Sequence, residues 1–157
     1  MKNIIRVGIR MKILIDADGC PVVDITIKVA KKFGLKTIIM CDTSHIFNKA
    51  GVETIVLPKG ADSVDFALVN KVEKNDVVVT QDYGLAAMVL SKGGQPINQN
   101  GRIYTNENID ELLFTRHVAK KARSAGKKMK GPKKRQKEDD INFEKSLINL
   151  INMKKEN

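Results

Sequence analysis

The chain has 157 residues, 42% of them hydrophobic, so it is long enough for one domain that buries its own core. Its two cysteines exclude a disulfide framework or a four-cysteine zinc site, and no apolar run approaches the roughly 18 residues that span a bilayer. The net charge is +10, and because the basic start lacks a signal-peptide core, we expect a cytoplasmic protein with no membrane partner.

In the first third of the chain, the sequence predicts two strands separated by a helix. Residues 11–16 form a short apolar run closed by an acid, as in a buried strand. Residues 1–10 are interpreted as an N-terminal extension, with an extra edge strand as the alternative. Pro21 can occupy a first helical turn, and apolar residues then recur at helical spacing until Gly34. Residues 36–41 are again apolar, which predicts the second strand.

The middle of the chain continues this alternation. Residues 52–57 predict a third strand, and Asp62 can cap a helix that ends near Asn75. Residues 76–80 are almost entirely apolar, which is typical of a parallel strand covered on both faces. We then expect a helix over residues 83–92.

The last third of the chain predicts one short strand and two helices. Residues 95–98 form the strand, and Asn108 with Glu111 three places on gives the N-terminal signature of a helix that ends at residue 124. Glycine, proline and many lysines make residues 126–137 a connection rather than a packed element. A final helix within residues 138–154 carries an apolar stripe, which is expected to pack back on the domain.

The regular alternation of strands and helices predicts the fold class, a three-layer α/β/α sandwich with a mainly parallel sheet formed by residues 11–125. In such an open sheet, ligands bind beyond the carboxyl ends of the strands, where the strand order reverses. Several aspartates follow the predicted strands or begin the helices after them. They are Asp16, Asp18, Asp62, Asp65 and Asp82.

These carboxylates predict a metal site. Clustered carboxylates repel one another, and a divalent cation relieves the repulsion while leaving coordination positions for phosphate oxygens and water. Mg²⁺ or Mn²⁺ suits oxygen ligands of this kind and would support hydrolysis of a phosphodiester. Three of the acids also have a structural interpretation, because Asp18 precedes a turn glycine, and Asp62 and Asp82 are good helix caps. Asp16 is different, since an acid that ends a buried apolar strand is costly unless it is paired or bound to a metal.

The basic residues are unevenly distributed along the chain. Eleven of the 28 fall within residues 115–137, which contain no acid, so the remaining 17 basic and 18 acidic residues nearly balance. Such a block predicts a surface that binds the phosphates of RNA or DNA, and a disordered, solubilising segment is the alternative. The residues expected to contact nucleic acid are Arg116, Lys120, Arg123, Lys127, Lys128, Lys133, Lys134 and Arg135.

Other site chemistries have weaker support. His45 and His117 are far apart in the sequence, which argues against a histidine-rich zinc site. Ser44 and His45 follow the second predicted strand, near the same end of the sheet as the acids, so both are candidates for substrate contact. Gly94 follows a helix and precedes no Lys-Ser or Lys-Thr pair, so a glycine-rich phosphate loop is not predicted.

Four short motifs occur in a fixed order along the chain. They are DADGCPV at residues 16–22, GADSVD at 60–65, TQD at 80–82 followed by LA, and YT with NI at 104–109. Together they resemble the bacterial YaiI/YqxD family over residues 11–151, and four motifs in order are much more specific than one. That family is grouped with PIN-like domains, whose better-known members are metal-dependent ribonucleases.

The resemblance implies a PIN-like domain over residues 11–125, an RNA partner and roles for the acids. Asp16 matches the acid after the first strand, Asp65 or Asp62 the helix acid, and Asp82 the acid after the fourth strand. Tyr83 and Gly84 stand where a further acid often follows, so the number of metals is left open. The working hypothesis makes Asp16, Asp65 and Asp82 the catalytic acids, with Asp16 and Asp82 as the central metal ligands. Asp18 and Asp62 are then supporting metal ligands or groups that position water.

Two other functions compete with a metal-dependent nuclease. A strand followed by Asp-X-Asp-Gly also opens haloacid-dehalogenase-like phosphatases, in which Asp16 would be the nucleophile and Asp18 the acid and base. The chain lacks the downstream lysine motif and the late acidic pair of those enzymes. A non-catalytic module is the other alternative, and it would use residues 115–137 to bind nucleic acid without a metal.

Overall fold

The computed structural model describes residues 11–44, 47–60, 63–128 and 133–155, so the predicted extension at residues 1–10 lies outside the described residues. Strands and helices alternate along the described chain. The strands are β1 (Lys12–Asp16), β2 (Lys36–Asp42), β3 (Glu53–Leu57), β4 (Val77–Val79) and β5 (Gln95–Ile97). The helices are α1 (Val23–Lys32), α2 (Ser63–Lys71), α3 (Tyr83–Ser91), α4 (Asn106–Ser124) and α5 (Lys137–Lys155).

The strands form one sheet in the order β3-β2-β1-β4-β5, and each neighbouring pair is parallel. The predicted α/β/α sandwich is therefore confirmed, with a sheet that is parallel throughout. The chain leaves β1 toward β2 and β3 on one side and later returns to build β4 and β5 on the other. The strand order thus reverses between β1 and β4, which is where open sheets bind ligands.

Alternate residues of a strand point to opposite faces of the sheet, and this builds the three layers. Ile13 and Ile15 pack with α1 and α5, whereas Leu14 packs with α2 and α3 on the other face. α4 covers α3 through a smaller cluster that contains Tyr104 and Ile109. Strands covered on both faces need apolar residues at successive positions, as the sequences of β1 and β4 show.

The final helix, α5, packs against α1 and the sheet. Its predicted apolar stripe is buried, since Phe143, Leu147 and Ile151 are each 0% exposed and belong to the core on the α1 face. α5 begins at Lys137 and ends at Lys155, so it is somewhat longer than the predicted helix. Burial of these three large side chains explains why this helix is held to the domain.

Arg135 ties the segment before α5 to the loop after β5. Its Nε donates to Oδ1 of Asp140, Nη1 donates to Oδ1 of Asn100, and Nη2 donates to the Gln99 carbonyl, each at 2.8 Å. The sequence predicted no packed element in this connection. The three hydrogen bonds therefore show a fixed attachment at its end.

Two helix boundaries differ from the predictions. α4 begins a turn earlier because Thr105 is its N-cap: Oγ1 of Thr105 accepts from the Asn108 N–H at 3.1 Å, and the Asn108 side chain accepts from the Thr105 N–H at 2.9 Å. The predicted signature from Asn108 to Glu111 is wrong, because Asn108 closes the capping box. α2 ends at Lys71, before the predicted end near Asn75, which has a φ of 73°.

A buried ion pair holds the amino ends of β1 and β4 together. Lys12 Nζ lies 2.6 Å from Oδ2 of Asp76, and their side chains are 17% and 2% exposed. Asp76 also accepts from the backbone N–H groups of Lys12 and Glu73. Burial acts to lower the pKa of Lys12, but the hydrogen bonds to Asp76 and Glu73 outweigh it and raise the pKa. Asp76 is therefore a structural acid, at the end of the sheet opposite to Asp16.

Candidate functional site

β1 and β4 end side by side and bring two aspartates together. Asp16 is the last residue of β1, and Asp82 lies three residues after β4. Between them, Thr80 donates from Oγ1 to Oδ2 of Asp16 at 2.8 Å, and the same hydroxyl accepts from the Asp82 N–H at 3.0 Å. Thr80 is 1% exposed, and its carbonyl accepts a hydrogen bond from the buried Tyr104 hydroxyl at 3.3 Å. Thr80 therefore fixes the two acidic segments relative to each other.

An open cleft with a volume of about 610 Å³ lies at these strand ends. Four of the five predicted aspartates line it, together with an acid that the sequence analysis did not select. The acidic residues are Asp16, Asp18, Asp42, Asp65 and Asp82. The fifth predicted aspartate, Asp62, lies outside the described residues. Five acids from four segments of the chain thus meet in one place, which we call the acidic cleft.

The charges in the acidic cleft act on one another. The pKa of Asp16 is raised to about 6, mainly by burial. The negative charges of Asp82 and Asp18 raise it further, while the hydrogen bond from Thr80 lowers it. The repulsion among the three carboxylates makes the site electrostatically receptive to a cation.

Asp82 also caps α3. Its Oδ1 accepts from the Gly84 N–H at 2.8 Å and from the Leu85 N–H at 3.2 Å. The capping interpretation of Asp82 is therefore confirmed, and the same side chain lines the acidic cleft. Capping orients the carboxylate, because both hydrogen bonds fix the same oxygen atom.

The end of β2 supplies the acid that sequence reasoning missed. The N–H of Asp42 donates to Oδ2 of Asp18 at 3.1 Å, which joins the loop after β1 to β2. Asp42 accepts from both the N–H and the hydroxyl of Ser44, so this predicted contact residue is bound to Asp42. His45 lies outside the described residues. The sequence could have identified Asp42, because it is an acid that ends an apolar run, as Asp16 is.

Within the described parts of the chain, no three acidic, histidine or cysteine side chains are arranged to hold one metal ion. Burial raises the pKa of the Cys20 thiol to about 11, which keeps this thiol protonated at neutral pH. In the described segments, no helix combines the length and apolar character required to cross a bilayer.

Arg116 is the predicted basic residue that reaches the acidic cleft. Its Nη1 lies 3.5 Å from Oδ1 of Asp82, and the two side chains are 57% and 36% exposed. An ion pair this long and this exposed contributes little to stability. Arg116 supplies the one positive charge among the described residues that line the cleft. Its guanidinium therefore lies exposed at the edge of the acidic cleft.

Lys133 and Lys134 line a second depression, with a volume of about 480 Å³, which we call the basic cleft. Gly19 and Gln81 line both clefts, and Nε2 of Gln81 donates to the Gly19 carbonyl at 2.9 Å. The two clefts therefore adjoin across this hydrogen bond. Arg135 also lines the basic cleft, where its guanidinium holds the chain as described above.

The other predicted nucleic-acid contacts lie outside the linings of these clefts. They are exposed side chains of the second half of α4 and the residues that follow it: Lys120, Arg123, Lys127 and Lys128. Of the eight predicted basic residues, the structure thus brings Arg116 to the acidic cleft and three residues to the basic cleft.

Residues 14–153 match the model of a protein family described as an uncharacterized BCR, the YaiI/YqxD family. A UPF0178 protein of Exiguobacterium sibiricum is 56% identical over 144 residues, which cover 92% of this chain and 99% of that protein. A UPF0178 protein of Clostridium acetobutylicum is 52% identical over 143 residues, or 90% and 97% of the two chains.

A UPF0178 protein of Clostridium perfringens is 48% identical over 141 residues, which cover 90% of this chain and 95% of that protein. No solved structure matches the chain. Since the family model matches residues 14–153 and these relatives cover at least 90% of the chain, the chain belongs to the YaiI/YqxD family.

Proposed function

We propose that the acidic cleft binds Mg²⁺ or Mn²⁺ and hydrolyses phosphodiesters of a nucleic acid, with RNA as the first substrate to test. The observation that carries this proposal is the meeting of Asp16, Asp18 and Asp82 where the strand order reverses, close enough for their charges to act on one another. Repelling carboxylates beside an open cleft are stabilised by a divalent cation.

The residues present fit a cation of this kind. All the acidic side chains that line the cleft offer oxygen atoms, which Mg²⁺ prefers. Since no three of the described acids surround one point, the protein would supply one or two carboxylates in this arrangement, and water and substrate phosphate would complete the coordination. That division is usual for Mg²⁺ in enzymes that act on phosphates.

Each side chain has a part in this proposal. Asp16 and Asp82 would hold the ion, and Thr80 orients Asp16 through the hydrogen bond to Oδ2. Asp65 is the third catalytic acid and belongs to the first turn of α2, from which it lines the cleft. A bound divalent cation would polarise the phosphate and lower the pKa of the attacking water. Arg116 would neutralise charge on the phosphate.

The basic cleft would hold the substrate backbone. Lys133 and Lys134 are exposed, and their cleft meets the acidic cleft at Gly19 and Gln81. A strand whose scissile phosphate lies in the acidic cleft can place the phosphates on one side of it against these lysines. Such contacts give affinity without sequence preference.

Cleavage of single-stranded RNA by purified protein with Mn²⁺ tests the proposal. Asp16→Asn and Asp82→Asn should each lower the cleavage rate at least a hundredfold, because each removes a ligand charge. Asparagine is also a good N-cap, so the second variant retains the cap of α3. Asp110→Asn changes an exposed acid of α4 and is the matched control. Unchanged cleavage in both cleft variants would exclude this site.

A non-catalytic nucleic-acid-binding module is the second candidate. The observation in its favour is that the described acids, although close together, do not form a three-ligand group. Such a module would bind RNA equally well with EDTA and with Mn²⁺, and it would not cleave it. A nuclease would instead show divalent-dependent product formation that Asp16→Asn abolishes.

A further inference from the structure

An exposed aromatic ring stands beside the acidic cleft. Phe66 follows Asp65 in the first half of α2 and is 61% exposed. Single apolar residues on a protein surface are common and need no special explanation. Phe66 differs because it forms part of the wall of a groove that continues from the acidic cleft.

This groove has a volume of about 290 Å³ and two kinds of lining. Phe66, Leu85 and Met88 give it an apolar part. Asp65, Asp82 and Arg116 give it a polar part, and all three also line the acidic cleft. The groove and the cleft therefore share a wall of charged residues, and one ligand can occupy both.

We propose that Phe66 stacks on a nucleobase of a single-stranded nucleic acid while the adjoining phosphate lies in the acidic cleft near Arg116. The inference rests on the proposed function, because that function places a phosphodiester in the cleft. A nucleotide carries a flat aromatic base that its sugar links to a phosphate, and the lining of the groove offers an aromatic ring for the base and a guanidinium for the phosphate.

The proposed stacking contact requires a single-stranded nucleic acid. In a duplex the bases are stacked on each other and their faces are not available, whereas an unpaired base can leave its neighbours and stack on an aromatic ring. The groove lies just below the roughly 300 Å³ at which ligand pockets usually begin, so it suits one base rather than a run of bases. Every base has such a face, so this contact gives little sequence preference.

The chain contains no tryptophan, which provides a direct test. Phe66→Trp introduces the only tryptophan of the chain at the proposed platform, and this residue can be excited selectively over the two tyrosines. Stacking of a base on the indole quenches the tryptophan emission. The control is Phe114→Trp, because Phe114 is 67% exposed on α4 and outside the linings of the clefts and the groove. Both variants are titrated in EDTA, so that no substrate is cleaved, with single-stranded RNA and separately with inorganic polyphosphate.

We expect RNA to quench the Phe66→Trp emission by half or more at saturation and to leave the Phe114→Trp emission nearly unchanged. Polyphosphate carries comparable charge without bases, so it should bind without quenching. Equal responses to both polyanions, equal responses at both positions, or an unchanged signal while labelled RNA binds by fluorescence polarisation would each overturn the proposal. Failure of RNA to bind at all would also overturn it.

Phe66→Ala tests the same stacking contact through the affinity for RNA, without an introduced tryptophan. The affinity for single-stranded RNA should fall roughly tenfold or more, while the affinity for polyphosphate stays the same. Quenching at position 66 without any cleavage by the wild type in Mn²⁺ would retain the base platform and reject the nuclease. Cleavage without quenching would retain the nuclease and reject the platform.

Discussion

The Thr80 hydroxyl donates to the Asp16 carboxylate at 2.8 Å and accepts from the Asp82 N–H at 3.0 Å. A single oxygen atom thus positions both acids that are proposed to hold the cation. Thr80 touches neither water nor substrate in this role, because it is 1% exposed. It is a positioning residue, and a change there should affect Asp16 specifically.

Thr80→Val removes this hydroxyl with little change in shape, and Thr80→Ser retains it. The valine variant should lose about 1–3 kcal/mol of unfolding free energy, because two polar groups lose their partner. It should also move the acid limb of the cleavage pH profile to higher pH, since the hydrogen bond from Thr80 lowers the pKa of Asp16 and its loss raises that pKa. Denaturant unfolding and a pH–rate profile are the measurements.

The serine variant keeps both hydrogen bonds, so its pH profile should overlay that of the wild type. A purely structural role for Thr80 predicts a loss of stability in the valine variant with no movement of the profile. That outcome would remove Thr80 from the site.

The raised pKa of Asp16 makes a prediction about stability in EDTA. The pKa is 3.8 for an ordinary aspartate and about 6 in the fold, so the folded state binds the proton more tightly between these values. Stability from this group is therefore complete below pH 4 and is lost as the pH rises through 6, by at most about 3 kcal/mol. Asp16→Asn should be more stable than the wild type at pH 7 and show little advantage at pH 4.

Thermal unfolding at several pH values measures this difference, with Asp110→Asn as the exposed-acid control. Mn²⁺ should stabilise the wild type more than Asp16→Asn, because a ligand that binds only the folded state raises its stability. A variant that follows the wild type at every pH would contradict the assigned burial and charge repulsion.

The three layers of this fold could be predicted from the sequence, because buried faces of strands and helices require apolar residues at characteristic spacings. The unbroken apolar residues of β4 predicted a strand covered on both faces, and the stripe through Phe143 and Leu147 predicted a packed final helix. The end of β1 at Asp16 was visible for the same reason, as an acid that closes an apolar run.

The contacts within the site could not be predicted from the sequence, because they join residues that are distant along the chain. Thr80 and Asp16 are 64 residues apart in the sequence, and their hydrogen bond requires β4 to lie beside β1. The pattern of apolar residues predicts the strands but not their order in the sheet. Arg135 was selected for its charge alone, yet its guanidinium is engaged by the loop after β5, 36 positions away. Phe66 was not selected, since one exposed aromatic gives no periodic signal.

The buried pair of Lys12 and Asp76 predicts a large and purely structural effect. Asp76→Ala leaves two backbone N–H groups without their acceptor, and the Lys12 ammonium keeps only the exposed Glu73 carboxylate as a partner. The change should therefore cost about 3–5 kcal/mol in urea unfolding. Asp24→Ala is the matched control, because its ion pair with Lys49 is 2.9 Å long but 80% and 38% exposed. That control should cost less than about 1 kcal/mol. Equal losses would contradict the assigned burial of Asp76.

The basic cleft makes a prediction about salt. Lys133→Gln with Lys134→Gln should weaken the binding of single-stranded RNA at low salt and reduce the log–log salt slope by about 1.4, since each phosphate contact contributes roughly 0.7. Fluorescence polarisation across a salt series in EDTA measures the slope. The same change of two charges at Lys28 and Lys32 on α1 is the control and should leave the slope unchanged.

Equal reductions in both double variants would mean that the overall positive charge attracts RNA without a preferred path. A reduction confined to Lys133 and Lys134 would instead place the RNA backbone in the basic cleft, where Gly19 and Gln81 connect it to the acidic cleft. The cleavage rate at saturating RNA should then stay within about threefold of the wild type, because these lysines bind substrate equally before and during the reaction.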